Sequence, residues 1–187
     1  MNKKELFIVE GQSAGHALDF AIDNKTQSVF ALQGKLANVR KTSHDVIADN
    51  RECQKLMAKL GGVFASDYEI DQLPYSQVLV LMDPDIDGAH SSALVLSFFA
   101  RYCKPIVAAG LLSIIKPPMF RVTSSARETV YAWTEGELQA VLNDSEQNQT
   151  LQTTRFKGVA QFSAEECHTL LLNRATRRQY ILRDEVP

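Results

Sequence analysis

Three aspartates at alternate positions, Asp83, Asp85 and Asp87, form the densest group of reactive side chains in the sequence, and Gly88 follows them. They come directly after the apolar run at residues 78–82, which predicts a strand buried on both faces. Parallel α/β sheets place their sites beyond the carboxyl ends of such strands. Carboxylates this close repel one another, and a divalent cation is the usual remedy. The alternative is a solvated acidic turn with no function.

The same Asp-x-Asp-x-Asp-Gly pattern opens the calcium loop of an EF-hand, whose twelfth position is a bidentate glutamate. Counted from Asp83, the twelfth residue is Leu94, and a strand pattern stands where an EF-hand requires a helix. The sequence therefore excludes that loop. Oxygen ligands with few fixed protein partners suit Mg²⁺ instead, because it keeps several waters and shares phosphate oxygens.

A fourth carboxylate, Glu10, ends the apolar run at residues 6–9 and precedes a turn of small residues. Ser13 is predicted to cap a helix that continues to about residue 24. The turn is not a phosphate-binding P-loop, since the Gly-Lys-Ser/Thr ending is absent. Glu10 thus has the same setting as the aspartates, a strand end before a helix. The alternative for it is a carboxylate stabilised only by the helix dipole.

The elements that must position these acids alternate between strand and helix patterns, which predicts an α/β fold with a parallel sheet and right-handed crossovers. Strands are predicted at residues 6–9, 28–32, 78–82 and 111–115, and helices at 13–24, 43–60 and 93–107. The pattern changes after residue 122: an edge strand at 129–133, a helix at 135–142 and a last helix with the capping-box pair Ser163 and Glu166. The predicted domains are residues 1–123 and a tail of residues 124–187.

Composition narrows the class of protein. A net charge of −2 in 187 residues excludes a free-standing, strongly basic nucleic-acid binder, so DNA contact must be local or shared with a partner. The three cysteines are isolated, which indicates reduced thiols rather than disulfides or zinc ligands. The sequence shows no signal-peptide pattern and no apolar run long enough to span a bilayer, so we expect an intracellular protein without a membrane partner.

Glu10 and the aspartate loop belong to a longer series of short motifs. In chain order these are Glu-Gly-x-Ser-Ala-Gly from Glu10, Gly-Lys-Leu-x-Asn-Val from Gly34, Asp-x-Asp-x-Asp-Gly-x-His from Asp83, Lys-Pro-Pro from Lys116, Arg-Phe-Lys-Gly from Arg155 and Thr-Arg-Arg from Thr176. The series resembles the Toprim domain and adjoining tail of the B subunits of bacterial type IIA topoisomerases, gyrase and topoisomerase IV. The resemblance covers nearly the whole chain. It implies a Toprim (Rossmann-like) fold of about four parallel strands flanked by helices, with a small C-terminal α+β tail.

The resemblance also implies roles for individual residues. Glu10, Asp83 and Asp85 match the acids that bind Mg²⁺, for which Mn²⁺ can substitute, and Asp87 matches the third acid of the loop. Glu10 would in addition serve as the catalytic acid/base. The matches to DNA-binding and supporting positions are Lys35 and Asn38 for DNA near the cleaved phosphate, and His90, Arg155, Lys157, Arg177 and Arg178 for support.

The implied activity is DNA cleavage and religation on double-stranded DNA, together with a gyrase A-like subunit that carries the catalytic tyrosine. The sequence lacks the glycine-rich signals of an ATP-binding module, and none of its tyrosines has a nucleophile-like context. We therefore expect no strand passage from this chain alone. A cytoplasmic, nucleoid-associated location follows from the same resemblance.

The chain departs from the family pattern at several charged or small positions. The departures are Gln12, His16, Gln33, Ser92, and Val159 to Phe162 after Arg-Phe-Lys-Gly. They remove charge around the site but leave the acids in place. Two other functions therefore stay open: a stand-alone Toprim nuclease or phosphotransferase, and a non-catalytic regulator or decoy that binds a gyrase A-like subunit.

Alternatives also stay open for single residues. Lys35 and Asn38 could be an ordinary loop lysine and a turn asparagine. His90 could orient an acid or only fill space. The arginines from Arg174 to Arg183 are predicted to form a solvated or partner-facing tail rather than a DNA groove.

Overall fold

The central sheet of the computed structural model, which describes residues 3–125, 128–144 and 150–183, has five strands in the order β2-β1-β3-β4-β8. Their bounds are β1 Lys4–Glu10, β2 Gln27–Leu32, β3 Tyr75–Val80, β4 Leu112–Ile115 and β8 Gln179–Ile181. The first four are parallel, as predicted, and each of the four predicted strands is present. The fifth, β8, is antiparallel to β4 and comes from the predicted tail, which the sequence reasoning missed.

Alternate residues of the strands face opposite layers, as the two-residue period of a strand requires. Leu6 and Ile8 of β1 join one core, with helices α2 (His44–Asp49), α3 (Arg51–Lys59), α4 (Ile86–Tyr102) and α5 (Lys104–Ala108). Phe7 and Val9 join the other core, with α1 (Gly11–Asp19) and the helical segment of the tail, α7 (Ala164–Glu166), which continues as a π-helix (Cys167–Leu172). The predicted α/β arrangement, parallel strands flanked by helices, is therefore confirmed.

A second, antiparallel sheet has the order β6-β5-β7. Its strands are β5 (Phe120–Ser124), β6 (Thr129–Ala132) and β7 (Leu151–Arg155), and α6 (Glu135–Asp144) packs against it. β6 is an edge strand, as predicted, whereas β5 and β7 were not predicted. β7 gave no strand signal because it is polar and lacks an alternating pattern. The domain boundary after residue 123 stays a prediction; β5 spans that position.

The predicted helices lie at the expected places in the sequence, but their ends differ from the predicted ones. The helix of residues 43–60 is two helices, because Asn50 has an extended backbone and its side chain accepts a hydrogen bond from Cys53 N–H, which starts α3 afresh. The helix of residues 93–107 begins earlier, at Ile86, and is interrupted at Cys103. α1 begins at Gly11 rather than after Ser13, so Ser13 is not its cap.

Two other predictions about local structure are confirmed. Ser163 Oγ accepts a hydrogen bond from Glu166 N–H, and Glu166 Oε2 accepts one from Ser163 N–H, so the capping box is present. All three cysteines are buried free thiols.

Across the described ranges, no helix is both long and apolar enough to cross a lipid bilayer.

Candidate functional site

Glu10 and Asp83 leave the central sheet side by side at its carboxyl edge. Glu10 is the last residue of β1, and Asp83 follows the end of the neighbouring parallel strand β3. Ile8 lies opposite Val80, and Leu81 N–H donates to the carbonyl of Ile8 at 2.9 Å, which continues the pairing past the strand end. The sheet therefore brings together two acids that are 73 positions apart in sequence (83 minus 10).

The helix α4 begins directly behind the aspartate loop and holds its shape. Asp85 Oδ1 accepts a hydrogen bond from Gly88 N–H at 2.7 Å, so Asp85 is the N-cap of α4. A Cβ atom at Gly88 would overlap the carbonyl oxygen of Asp83, so no side chain can be tolerated there. Glycine at this position is what allows the loop to fold back against the helix.

The carboxylate of Asp83 is half-buried and contacts the C-terminal tail. Its Oδ1 accepts a hydrogen bond from Val159 N–H at 2.7 Å, and the backbone of Gly158 lies alongside. Burial raises the pKa of Asp83 above its usual value; the Val159 N–H opposes this, while the charges of Asp85 and Glu10 add to it. The charges of Asp85 and Glu10 thus act on Asp83; the convergence of the three acids around one cation stays a prediction.

Glu10 precedes α1, yet its side chain makes no capping hydrogen bond to that helix. The alternative of a carboxylate stabilised only by the helix dipole stays open, since Glu10 is the residue before α1. The side chain is half-buried at the strand end, and its charge acts on both Asp83 and Lys35. The charge of Glu10 therefore acts on the aspartate loop and on Lys35.

Asp87 and Lys35 form an ion pair with 2.8 Å between Nζ and Oδ1. The hydrogen bond to Asp87 raises the pKa of Lys35, with further contributions from the charges of Glu10 and Asp85. The same contact with Lys35 lowers the pKa of Asp87, and the charge of His90 adds to it. Lys35 is therefore part of the acid cluster, and Asp87 is engaged with it.

Asn38 has a turn function in this structure. Its Oδ1 accepts a hydrogen bond from Arg40 N–H at 3.0 Å, the geometry of an Asx turn. His90 is exposed on α4 and acts on Asp87 only through its charge. The roles predicted for Asn38 at DNA and for His90 beside the acids stay predictions.

The donor chemistry of the cluster fits Mg²⁺, although no three His, Cys, Asp or Glu side chains in the described part of the chain are arranged as a ready-made metal site. Carboxylate oxygens are the hard ligands that Mg²⁺ takes. Besides burial, the negative charges of Asp85 and Glu10 raise the pKa of Asp83, so a cation among these acids would relieve their repulsion. Glu10, Asp83 and Asp85 are the residues that would hold it.

A cavity of about 620 Å³ opens beside the aspartate loop. Its charged lining comprises Asp83, Asp85, Asp87, Lys116 and Arg155. The remaining lining is mostly apolar: Met82, Pro84, Ile86, Ala89, Ser92, Ile114, Ile115, Pro117 and Met119. Arg155 thus lines the same cavity as the aspartates, and its supporting role stays a prediction. Lys116 lines the same cavity, and its place in the Lys-Pro-Pro motif was the one signal that could have indicated this.

Arg177 lies at the opposite, amino edge of the sheet. Its guanidinium pairs with Glu5 at 2.6 Å, and its side chain is only 1% exposed. Arg178 pairs with Glu137 at 2.6 Å and stacks on the ring of Trp133. The prediction of a solvated arginine tail is therefore wrong for Arg177, because the buried carboxylate of Glu5 requires a buried cation.

The tail residues that reach Asp83 are Gly158 and Val159. Gly158 is the last residue of the Arg-Phe-Lys-Gly motif and Val159 is the first of the departures after it, but neither was predicted to contact the acids. Lys157 is exposed beside them. Gln161, one of the departures from the family pattern, accepts hydrogen bonds from the N–H groups of Lys157 and Gly158 through Oε1, so it retains a structural function.

Comparisons with known proteins agree with this geometry. The model of the Toprim domain family matches residues 5–115. The chain is 33% identical over 175 residues to the B subunit of DNA gyrase from Metamycoplasma arthritidis. It is 34% identical over 178 residues to the B subunit of DNA topoisomerase 4 from Streptococcus pneumoniae, and 34% identical over 176 residues to the B subunit of DNA gyrase from Thermotoga maritima. Each match covers 94% of this chain and 27% of the relative, so the chain spans about a quarter of the length of these curated relatives.

Proposed function

The chain belongs to the Toprim domain family, and we propose that it is the Mg²⁺- and DNA-binding half of a type IIA topoisomerase cleavage centre. The observation that supports the proposal is that Glu10 and Asp83 follow two adjacent parallel strands, with the charges of Glu10 and Asp85 acting on Asp83. Carboxylates placed in this way hold a cation against a phosphate. The similarity to B subunits of gyrase and topoisomerase IV supports the same assignment.

The reaction we propose is a reversible transesterification of DNA. A tyrosine hydroxyl of a gyrase A-like partner subunit attacks a phosphodiester; the new bond joins its oxygen to phosphorus, and the bond from phosphorus to the 3′-oxygen breaks. Mg²⁺ held by these acids would supply positive charge at the phosphoryl transition state and the leaving oxygen. Asp83 and Asp85 are proposed to hold the cation with Glu10, and Glu10 to give the 3′-oxygen its proton and take it back on religation.

DNA binding is proposed to be local, since the chain as a whole carries a net charge of −2. Lys35 is the cation that pairs with Asp87, and it would move from Asp87 to a DNA phosphate. Arg155 and Lys116, which line the neighbouring cavity, would add positive charge on the other side of the loop. The partner subunit would supply the remaining phosphate contacts, and the location of such a complex would be cytoplasmic, on the nucleoid.

Strand passage is proposed to depend on more than these residues. The catalytic tyrosine is assigned to the gyrase A-like partner subunit. ATP hydrolysis is assigned to an ATP-binding module, whose glycine-rich signals this sequence lacks. The contribution proposed for this chain is cleavage and religation, with Mg²⁺ or Mn²⁺ as the cofactor.

The test is a reconstituted DNA cleavage assay with supercoiled plasmid, Mg²⁺, the chain and a gyrase A subunit, stopped with detergent. We expect cleaved DNA only when both proteins are present, and a loss of about 100-fold or more in Glu10→Gln or Asp83→Asn. Asp49→Asn, an exposed carboxylate at the end of α2, is the matched control and should cleave normally.

Other outcomes of the same assay would contradict the proposal. Nicking without the partner subunit would indicate a stand-alone nuclease. Inhibition of an active gyrase by the chain, without cleavage of its own, would indicate a decoy. Full activity in Glu10→Gln would remove Glu10 from the mechanism.

A further inference from the structure

Asp83 is held by a segment that lies 76 positions further along the chain. Its Oδ1 accepts a hydrogen bond from Val159 N–H at 2.7 Å, whereas Asp85, among the residues that the structure describes, is held by its own helix through Gly88 N–H. Of the two half-buried acids of the site, Glu10 and Asp83, Asp83 is therefore the one that the tail contacts.

We propose that the backbone N–H of Val159 is the positioning group for the metal site, because it fixes the rotation of the Asp83 carboxylate and so decides how that acid meets a cation. The inference rests on the proposed function, since it concerns the same site. Partners that orient a metal ligand commonly set the affinity of the site as strongly as a change among the ligands themselves.

The N–H of Val159 is available because of its place in the chain. Val159 is the first residue of a short 3₁₀ helix (Val159–Gln161), and the first N–H groups of a helix have no partner inside it. The N–H groups of Lys157 and Gly158 both donate to Gln161 Oε1. The third successive donor, Val159 N–H, is the one directed to Asp83.

The position of Gly158 leaves room for the Asp83 carboxylate. Its backbone is extended, with φ −160° and ψ 155°, a conformation that any residue adopts. A Cβ atom there would lie 3.2 Å from Asp83 Oδ2 and 3.4 Å from Oδ1. A side chain at position 158 would therefore be strained by contact with Asp83 and not by its own backbone conformation. It would displace the Asp83 carboxylate by a few tenths of an ångström.

The donor is rigid because its neighbours are anchored in the core. Phe156 is 2% exposed and stacks on Phe162, with 4.0 Å between ring centroids. Phe156 N–H donates to the carbonyl of Met119 at 2.8 Å, which continues the pairing of β7 with β5. The Val159 side chain is fully buried. The hydrogen bond to Asp83 is thus formed by a preorganised segment, the arrangement that precise ligand placement requires.

Val159→Pro removes the N–H and Val159→Ala keeps it, so the two variants form a matched pair. Proline is tolerated at the first position of a helix, and the extended backbone of Gly158 suits the residue before a proline. We expect the affinity of the full chain for Mn²⁺, measured by isothermal titration calorimetry, to fall about 10- to 100-fold in Val159→Pro relative to Val159→Ala. Gly158→Ala should lower the affinity in the same direction.

The outcomes separate this inference from the function on which it rests. Equal Mn²⁺ affinity in Val159→Pro and Val159→Ala, with both folded by circular dichroism, overturns the positioning role. If Val159→Pro does not fold, Gly158→Ala decides, and an unchanged affinity in that variant also overturns it. Failure of the proposed function has a different signature, since the unaltered chain would then bind no Mn²⁺, or Asp83→Asn would bind it equally well.

Discussion

Replacing Arg177 with methionine would leave the buried carboxylate of Glu5 without its main partner. Arg177 Nη2 donates to Glu5 Oε1 at 2.6 Å and Nη1 donates to Oε2 at 3.1 Å. The side chains of Arg177 and Glu5 are 1% and 3% exposed. The variant therefore removes two charge-assisted hydrogen bonds in a place that water does not reach.

The free energy of unfolding should fall by about 3–5 kcal/mol, the usual result of removing one partner of a buried ion pair. The lower part of that range applies, because Arg174 Nε still donates to Glu5 Oε1 at 2.8 Å. Domains of ordinary stability have only about 5–15 kcal/mol in total. The loss is thus large enough to show that the tail, which carries Arg177, is part of the fold of the central sheet.

The loss of unfolding free energy in Arg177→Met should be smaller at low pH. Burial on its own raises the pKa of Glu5, but the hydrogen bonds and charge of Arg177, with Arg174 and Gln27, outweigh it and lower the pKa. A lowered pKa gives stability that is present above the unfolded-state value and is lost as pH falls through the folded-state value. In Arg177→Met the effect of burial dominates, so Glu5 takes up a proton at mild acidity and no longer carries an unpaired charge.

Urea unfolding followed by circular dichroism at pH 7 and pH 4 measures both effects. Arg174→Met is the control, because its side chain is 65% exposed and exposed ion pairs contribute about 0–1 kcal/mol. If Arg177→Met costs no more than Arg174→Met at pH 7, the buried pair does not stabilise the fold.

Two further outcomes follow from contacts elsewhere in the chain. Lys35→Ala removes the ammonium group that pairs with Asp87, so the affinity of the chain for Mn²⁺ should rise. Its affinity for DNA should fall, and the salt dependence of DNA binding should drop by a slope of about one. Calorimetry with Mn²⁺ and DNA binding at several salt concentrations test this, and an unchanged Mn²⁺ affinity together with unchanged DNA binding would contradict it. Burial raises the pKa of Cys103 to about 12 and of Cys167 to about 11, so both thiols should stay neutral at pH 8 and react with Ellman's reagent only as the chain unfolds; rapid labelling of the native chain would contradict their burial.

The parallel sheet and the place of the acids were predictable because their signals are local. An apolar run followed by turn residues predicts a buried strand, and parallel strands bring their carboxyl ends to one edge. Glu10 and Asp83 lie at that edge for this reason. Motif resemblance added the family, which the match over residues 5–115 confirms.

The contacts that join the tail to the site and to the opposite edge of the sheet were not predictable, since they connect residues far apart with no periodic pattern. The hydrogen bond from Val159 to Asp83 spans 76 positions, and the ion pair of Arg177 with Glu5 spans 172. Nothing in the spacing of charges indicated that Lys35 would pair with Asp87. Helix ends were equally unpredictable, because the break at Asn50 depends on one hydrogen bond, from Cys53 N–H to Asn50 Oδ1.

The cation site is tested most directly by a calorimetric titration of Mn²⁺ into the full chain and into its Asp83→Asn and Glu10→Gln variants, with Asp49→Asn as the control. We predict saturable binding to the unaltered chain and the control, and weak or undetectable binding to the other two. Identical isotherms for all four proteins would contradict the claim that the acids at the ends of β1 and β3 form a cation site.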